Sequence, residues 1–302
     1  MAAHALIVED DPETGYLEAE IVRSCGFEPT VLPLGWPALA WVREHRPELL
    51  ILDLMLPDMD GYDIYRQLKL DLDTNLTPIV IVTAQVHEDE RVRGLEVGAH
   101  CYLTKPFTGQ QFRDAIAQVL AWRADLQRRG TEGEIRFRLR SDTRYLQELN
   151  DMAASLFLFS RLSPVQVRQL TTAVRELGVN AIEWGHQWQV ERLVMVTYRI
   201  DPDKITIVIR DTGPGFDLGD LPHAANPQDP TAHLAVRQER GVREGGIGIM
   251  IARGLVDELR YNETGNEVTV VKYYPAPGKD VQALSPGCCH ATLSPGSGKS
   301  GQ

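Results

Sequence analysis

Two carboxylates, Asp10 and Asp11, stand just beyond the apolar run Ala5–Val8, and a third, Asp53, follows Leu49–Leu52. Thr83 closes the run Ile79–Val82, and Lys105 stands just past Cys101–Leu103. Carboxylate oxygens gathered in this way suit Mg²⁺, which keeps several waters and accepts one or two protein carboxylates. With metal held by two of them, the third can attack a phosphoryl donor if a cation and a hydroxyl neutralise the transferring oxygens. Taken singly, an acidic residue at a strand end is as readily a solvated turn former, and Met59-Asp-Gly61 reads as a turn. Five residues of these types, in this order, go beyond what turns require.

A second set lies further along. Glu176 and Asn180 are one helical turn apart on Val165–Trp184, so both project from one face. An amide oxygen there can ligate Mg²⁺, while the carboxylate can take a proton from an attacking hydroxyl. Asp211-Thr-Gly-Pro-Gly-Phe216 follows a strand-like run, and its Gly213 and Gly215 permit close approach of a ligand to the backbone. A buried carboxylate at Asp211 could accept a hydrogen bond from an adenine amino group. Gly245-Gly-Ile-Gly248 precedes the apolar stretch Ile249–Leu259, so N–H groups and a helix N-terminus would face a phosphate. Each glycine motif alone reads equally as a tight turn or a loop. Their order after the Glu/Asn helix favours a nucleotide site.

The elements that must position the first set alternate. Between the apolar runs lie helix-length segments Thr14–Ser24, Pro37–Arg46, Gly61–Leu70 and Asp89–Glu96. Such alternation predicts a doubly wound α/β domain, with a parallel sheet, right-handed crossovers and ligands at the carboxyl ends of the strands. A last helix over Gly109–Arg129 breaks at Gly130-Thr-Glu-Gly133. Beyond it come an alternating strand Ile135–Leu139, helices over 143–156 and 164–185, and strands Leu193–Ile200 and Lys204–Arg210. This order predicts an α+β layer of helices on one face of a mainly antiparallel sheet. Residues 218–244 read as a long loop, and the Pro, Gly, Ser and Cys content beyond Pro275 as a tail without a core. The expected division is 1–122, a helical extension and linker 123–134, a second domain 135–275, and a tail 276–302.

With 302 residues, 43% of them hydrophobic and 24% charged, the chain can fill two globular domains. A net charge of −11 argues against nucleic acid as the main partner, since phosphate backbones are bound through Lys and Arg. No apolar run reaches the roughly 18–20 residues of a membrane span, and Met1-Ala-Ala-His lacks the features of a secretory signal, so a cytoplasmic location is expected. Cys25, Cys101, Cys288 and Cys289 show no metal-ligand spacing. Gly296-Ser-Gly-Lys-Ser300 has Leu293 where a phosphate loop needs its first glycine. No histidine lies between His100 and His186, which leaves no phosphoacceptor for a histidine kinase before the Glu/Asn helix.

Through Glu9-Asp10-Asp11, Asp53, Thr83-Ala84 and Lys105-Pro106, the first part resembles the receiver domain of two-component response regulators. That resemblance implies a five-stranded flavodoxin-like receiver phosphorylated on Asp53 by a cognate sensor histidine kinase. It implies Mg²⁺ held by Asp10, Asp11, Asp53 and the Met55 backbone carbonyl, phosphoryl contacts from Lys105 and Thr83, and an aromatic switch at Tyr102. The second part resembles the Bergerat-fold ATPases, which include histidine kinases, gyrase, Hsp90-type chaperones and the anti-sigma-factor serine kinases. The run from Gly245 to Tyr261 looks most like the serine kinase branch. By that resemblance Asn180 binds Mg²⁺, Asp211 reads adenine, Gly213, Gly215, Gly246 and Gly248 line ATP, Glu176 is a candidate base and 218–244 is a lid. The expected protein is a response regulator whose output is a protein-serine kinase acting on an anti-anti-sigma (STAS-type) protein, dimeric and without membrane or nucleic-acid contacts. The alternative is a non-catalytic module that holds a sigma factor or another regulator and is switched by the receiver.

Overall fold

The computed structural model describes residues 3–84, 94–157, 160–216 and 247–275. Strands β1 (Ala3–Val8), β2 (Phe27–Leu32), β3 (Leu49–Asp53), β4 (Ile79–Thr83) and a later strand, Tyr102–Thr104, form a parallel sheet. Its order is β2-β1-β3-β4 with Tyr102–Thr104 on the far edge. β3 and β4 are buried along their whole length, which is why they read as unbroken apolar runs. β2 carries Pro29 and no unbroken apolar run; an edge position tolerates both, and its weak pattern hid it from sequence reading. Helix α1 (Pro12–Ser24) begins at Asp11, whose carboxylate accepts the Thr14 N–H at 2.7 Å, with proline in the first turn. α2 (Gly35–His45) and α3 (Gly61–Leu70) follow, and α4 (Gly109–Arg129) opens on a reciprocal cap between Thr108 and Gln111. α4 ends at Gly130, where φ is 71°.

The second sheet joins a strand at Leu95–Val97, here β5, to β7 (Gly133–Arg140), β8 (Leu193–Ile200), β9 (Lys204–Arg210), β10 (Glu258–Tyr261) and β11 (Glu267–Tyr273). Tyr102–Thr104 of the first sheet is β6. The order is β10-β11-β9-β8-β7-β5, antiparallel throughout. Burial alternates along β8 and β9, as it must when one face is covered. The covering helices are α5 (Thr143–Phe157), α6 (Pro164–Asn180) and α7 (Gly248–Leu255).

Three expectations are corrected. The helix expected over Asp89–Glu96 gives way at its end to β5, which pairs with β7 of the other domain: Leu95 faces Leu139, Glu96 faces Arg138 and Val97 faces Phe137. The free edge of β7 offers unpaired backbone groups, and two apolar contacts plus an opposite-charge pair outweigh helix propensity there. Residues 85–93 lie outside the described set. The apolar stretch Ile249–Leu259 is helical only to Leu255; Glu258–Tyr261 leaves it to pair with β11. The helix expected over 164–185 ends at Asn180 and continues as a single π-helical turn, Ala181–Gly185. The loop 218–244, Gly246 and the tail from 276 fall outside the described residues.

Where the domains meet, the Glu134 carboxylate is fully enclosed. It accepts from His100 Nε2 at 3.1 Å and Trp122 Nε1 at 2.9 Å on the first-domain side, and from Arg199 Nη2 at 2.9 Å on the second. Burial alone would raise this carboxyl, but the His100 and Trp122 bonds and the charges of Arg136 and Arg199 hold it well below the usual range. One apolar core runs from Leu50, Ile81 and Ile64 under the parallel sheet, by way of Val97, to Phe137 and Val196 under the other.

Candidate functional site

Strand ends deliver the first constellation. Oxygens of Glu9, Asp10 and Asp53 lie within 4.8 Å of one another, close enough to share a hard divalent cation. Asp11, expected among the metal ligands, lies outside this cluster: its carboxylate caps α1 instead. Glu9 stands beside Asp10 in the sequence, and the local sign that sets Asp11 apart is its place before Pro12 at a helix start, where an Asp side chain caps the backbone.

Lys105 Nζ donates to Asp53 Oδ2 at 2.5 Å and to Glu9 Oε2 at 2.7 Å. Partial burial would lower the ammonium, yet these two bonds outweigh it and hold the lysine above its ordinary range. Burial raises Glu9, which the Lys105 hydrogen bond partly offsets. Thr83 is buried at the end of β4, and its carbonyl accepts the Lys105 N–H at 2.8 Å. The Met55 N–H donates to Asp53 Oδ1 at 2.8 Å, which fixes the turn after β3. Gly61 closes that turn so tightly that a Cβ would stand 2.1 Å from the Asp53 carbonyl oxygen. Tyr102 is half-buried at the start of β6, and its hydroxyl accepts from Arg138 Nη2 of the second domain at 3.1 Å.

Buried under α1 is a residue that sequence reading passed over. Both oxygens of Glu18 lack a partner, and burial, with the Glu9 charge second, pushes its carboxyl up to about 8.

The second constellation surrounds a cavity of about 260 Å³ lined by Asn180, Trp184, Asp211, Gly215, Phe216, Gly248 and Tyr261, among others. Glu176 and Asn180 share one face of α6, and the N-terminus of α7 sits on it: a Cβ at position 248 would meet Glu176 Oε2 at 3.1 Å and Asn180 Nδ2 at 3.7 Å. Asp211 lies directly after β9, is 8% exposed, and accepts the Gly213 N–H on Oδ1 at 2.8 Å. Burial raises its carboxyl. Gly215 has φ +74°, and a Cβ there would stand 1.8 Å from the Thr264 carbonyl oxygen. The packing of the protein itself therefore demands glycine here.

His186 is fully buried behind Asp211. Its Nε2 accepts the Thr212 N–H at 2.9 Å, and Nδ1 faces Ser141 Oγ at 2.5 Å. Burial lowers it to about 4, so the ring is neutral with its proton on Nδ1. Trp184 and Tyr261 have no role in the sequence reading because they reach the cavity from separate segments, and His186, two residues past Trp184, is weighed there only as a phosphoacceptor.

A family model of the response regulator receiver domain matches residues 5–117. The DNA-binding response regulator MtrA of Mycolicibacterium paratuberculosis is 32% identical over 236 residues, a match covering 72% of this chain and 99% of that protein. The chain belongs to the response regulators. A model of the histidine kinase-like ATPase domain matches residues 139–272, so this response regulator joins a receiver to an ATPase-type domain. The transcriptional regulatory protein BaeR of Escherichia coli is 40% identical over 114 residues, covering 38% of this chain and 45% of that protein. For relatives matched in this way, the alignment spans about half of their length. A crystal structure of the receiver domain of a histidine kinase from Syntrophus aciditrophicus aligns at 28% identity with a TM-score of 0.36, over 40% of this chain and 92% of that one. No helix among the described residues is long and apolar enough to cross a membrane.

Proposed function

We propose that this response regulator accepts a phosphoryl group on Asp53 from a sensor histidine kinase and so controls an ATP-dependent protein-serine kinase in its second domain. The target would be an anti-anti-sigma protein of STAS type, the released or engaged partner a sigma factor, the working form a dimer, and the location cytoplasmic. The observation that carries the reading is the arrangement of Glu176 and Asn180 on one face of α6 at the N-terminus of α7, with Asp211 on the wall of the same cavity.

In the receiver, an Asp53 oxygen would form the new O–P bond as the donor's N–P bond breaks. Glu9, Asp10 and Asp53 fit Mg²⁺, with the Met55 carbonyl as a further oxygen, and that ion would supply charge neutralisation at the phosphoryl oxygens. Lys105 would move its hydrogen bonds from the two carboxylates to the phosphoryl oxygens, with Thr83 beside it.

In the ATPase domain, Asp211 would accept from the adenine amino group, and its burial excludes competing water. Asn180 would hold Mg²⁺, and Gly213, Gly215 and Gly248 would flank the nucleotide, with Gly246 beyond the described residues. Glu176 would take the proton of a serine hydroxyl as its oxygen bonds to the γ-phosphorus and ADP leaves. DNA binding, named for the mycobacterial relative, is not carried over, because residues 139–272 here match an ATPase domain and the chain carries a net charge of −11.

The test is transfer from γ-labelled ATP with Mg²⁺ into proteins of the host extract. Wild type should yield an acid-stable phosphoprotein, and Glu176→Gln should lose it by at least about a hundredfold while still binding nucleotide. Equal transfer by both would remove Glu176 from the reaction. ATP binding without a product from either would favour the sequestering module.

A further inference from the structure

β5 belongs to the receiver's stretch of chain, yet it lies on the ATPase sheet. The ladder is bracketed by Gly98 N–H to Arg136 O at 2.8 Å and Arg140 N–H to Gly94 O at 2.9 Å. From the receiver side, α3 holds the same segment: Tyr62 Oη donates to Val97 O at 2.8 Å and Tyr65 Oη to Gly98 O at 2.9 Å. Arg138 of β7 donates to the Glu96 carboxylate and to the Tyr102 hydroxyl, and its guanidinium lies 5.4 Å from the Tyr102 ring centre. Tyr102 opens β6, the strand that leads to Lys105 on Asp53. The packing leaves a cavity of about 150 Å³ among α3, β5, β7 and α5, lined by Tyr62, Arg66, Glu96, Phe137 and Glu148, so the strand is not locked in a close-packed core.

The end of β7 that β5 pairs with leads directly toward the Asp211 loop. Ser141, the next residue, faces Nδ1 of buried His186, which holds the Thr212 N–H beside Asp211. β5 and Asp211 are thereby joined through one strand and two hydrogen bonds.

We propose that β5 is an edge strand captured by the ATPase sheet while Asp53 is unmodified, and that phosphorylation of Asp53 releases it, altering the set of the Asp211 loop through β7, Ser141 and His186. In the unmodified state Lys105 is committed to Asp53 and Glu9, and the Tyr102 hydroxyl to Arg138. A phosphoryl group on Asp53 would draw Lys105 to itself and pull on the three-residue strand β6, at whose start Tyr102 is tied to Arg138. Coupling is reciprocal, so capture of β5 must also oppose phosphorylation.

This inference rests on Asp53 as the phosphoacceptor. The experiment is amide hydrogen exchange on the full chain with and without beryllofluoride and Mg²⁺, followed in peptides covering 94–98 and 133–141. Binding of beryllofluoride should speed exchange in both by about tenfold or more. Failure of beryllofluoride to bind in wild type, with Asp53→Asn as the blank, would reject the phosphoacceptor reading itself. Binding with unchanged or slower exchange at 94–98 would overturn the strand-release device alone.

Tyr102→Phe, which keeps the ring and removes the Arg138 bond, should be phosphorylated by acetyl phosphate about threefold faster than wild type, and Arg138→Met faster still. Rates equal to wild type in Tyr102→Phe would overturn the proposal even if Arg138→Met fails to fold. Ser141→Ala should leave beryllofluoride-driven exchange at 94–98 intact but abolish its effect on ATP affinity. Retention of that effect would overturn the Ser141–His186 route.

Discussion

The acid pocket and the nucleotide cavity are built on opposite principles. In the first, charged groups touch: Lys105 bridges Asp53 and Glu9, and the chemistry follows from which side chains stand at strand ends. In the second, polar groups are sparse around a largely apolar hollow, whose shape depends on how closely backbones approach at Gly215 and Thr264. A site of converging charges tolerates loss of a charge without loss of the fold. A site made by backbone packing does not tolerate added volume.

The largest effect expected from this contrast is at Asp53. Asp53→Asn should abolish uptake of a phosphoryl group from acetyl phosphate, by more than about a thousandfold in rate, with a melting temperature close to that of wild type. Intact-protein mass before and after acetyl phosphate decides it, and residual uptake near the wild-type rate would place the acceptor elsewhere.

Gly215→Ala should behave in the opposite way. The left-handed backbone alone costs about 1–2 kcal/mol, and the contact with the Thr264 carbonyl adds to it. Thermal unfolding should therefore drop by several degrees, with loss of ATP binding as a consequence. An unchanged melting temperature would show that this glycine serves the ligand and not the packing.

An effect seen only as a pH dependence sharpens the comparison within the receiver. Glu18 has its carboxyl raised from 4.5 to about 8, so across that window the unfolded chain holds fewer protons than the folded one. Stability should then fall as pH rises from about 4.5 to 8, by an amount on the order of a few kcal/mol. Glu18→Gln should flatten this dependence, matching wild type near pH 4.5 and exceeding it at pH 8 in denaturant titrations. A parallel pH dependence in both proteins would remove Glu18 as its source.

Much of the pattern was legible because it is local. Runs buried on both faces announce β3 and β4, the Thr108 and Gly130 caps bound α4, and the four-residue spacing of Glu176 and Asn180 places them on one face of α6. Errors arose where the choice depended on a neighbour distant in sequence. Leu95–Val97 has both helical and strand-like content, and the edge of β7, some forty residues on, settled it. Glu258–Tyr261 continues an apolar helix pattern until β11 supplies a partner.

The sequence by itself determined the alternation that builds a parallel sheet, the acidic and basic residues at its strand ends, and the order of the Glu/Asn helix and glycine motifs. Those properties reside in short stretches, where periodicity and residue type act through bonds made within a few residues. Tertiary structure alone decided that Glu9 and not Asp11 joins the acid pocket, that His186 stands behind Asp211, and that a receiver strand completes the ATPase sheet. Each of these is fixed by which unpaired backbone edge or buried polar atom another segment must satisfy, and that requirement does not exist until the chain has folded.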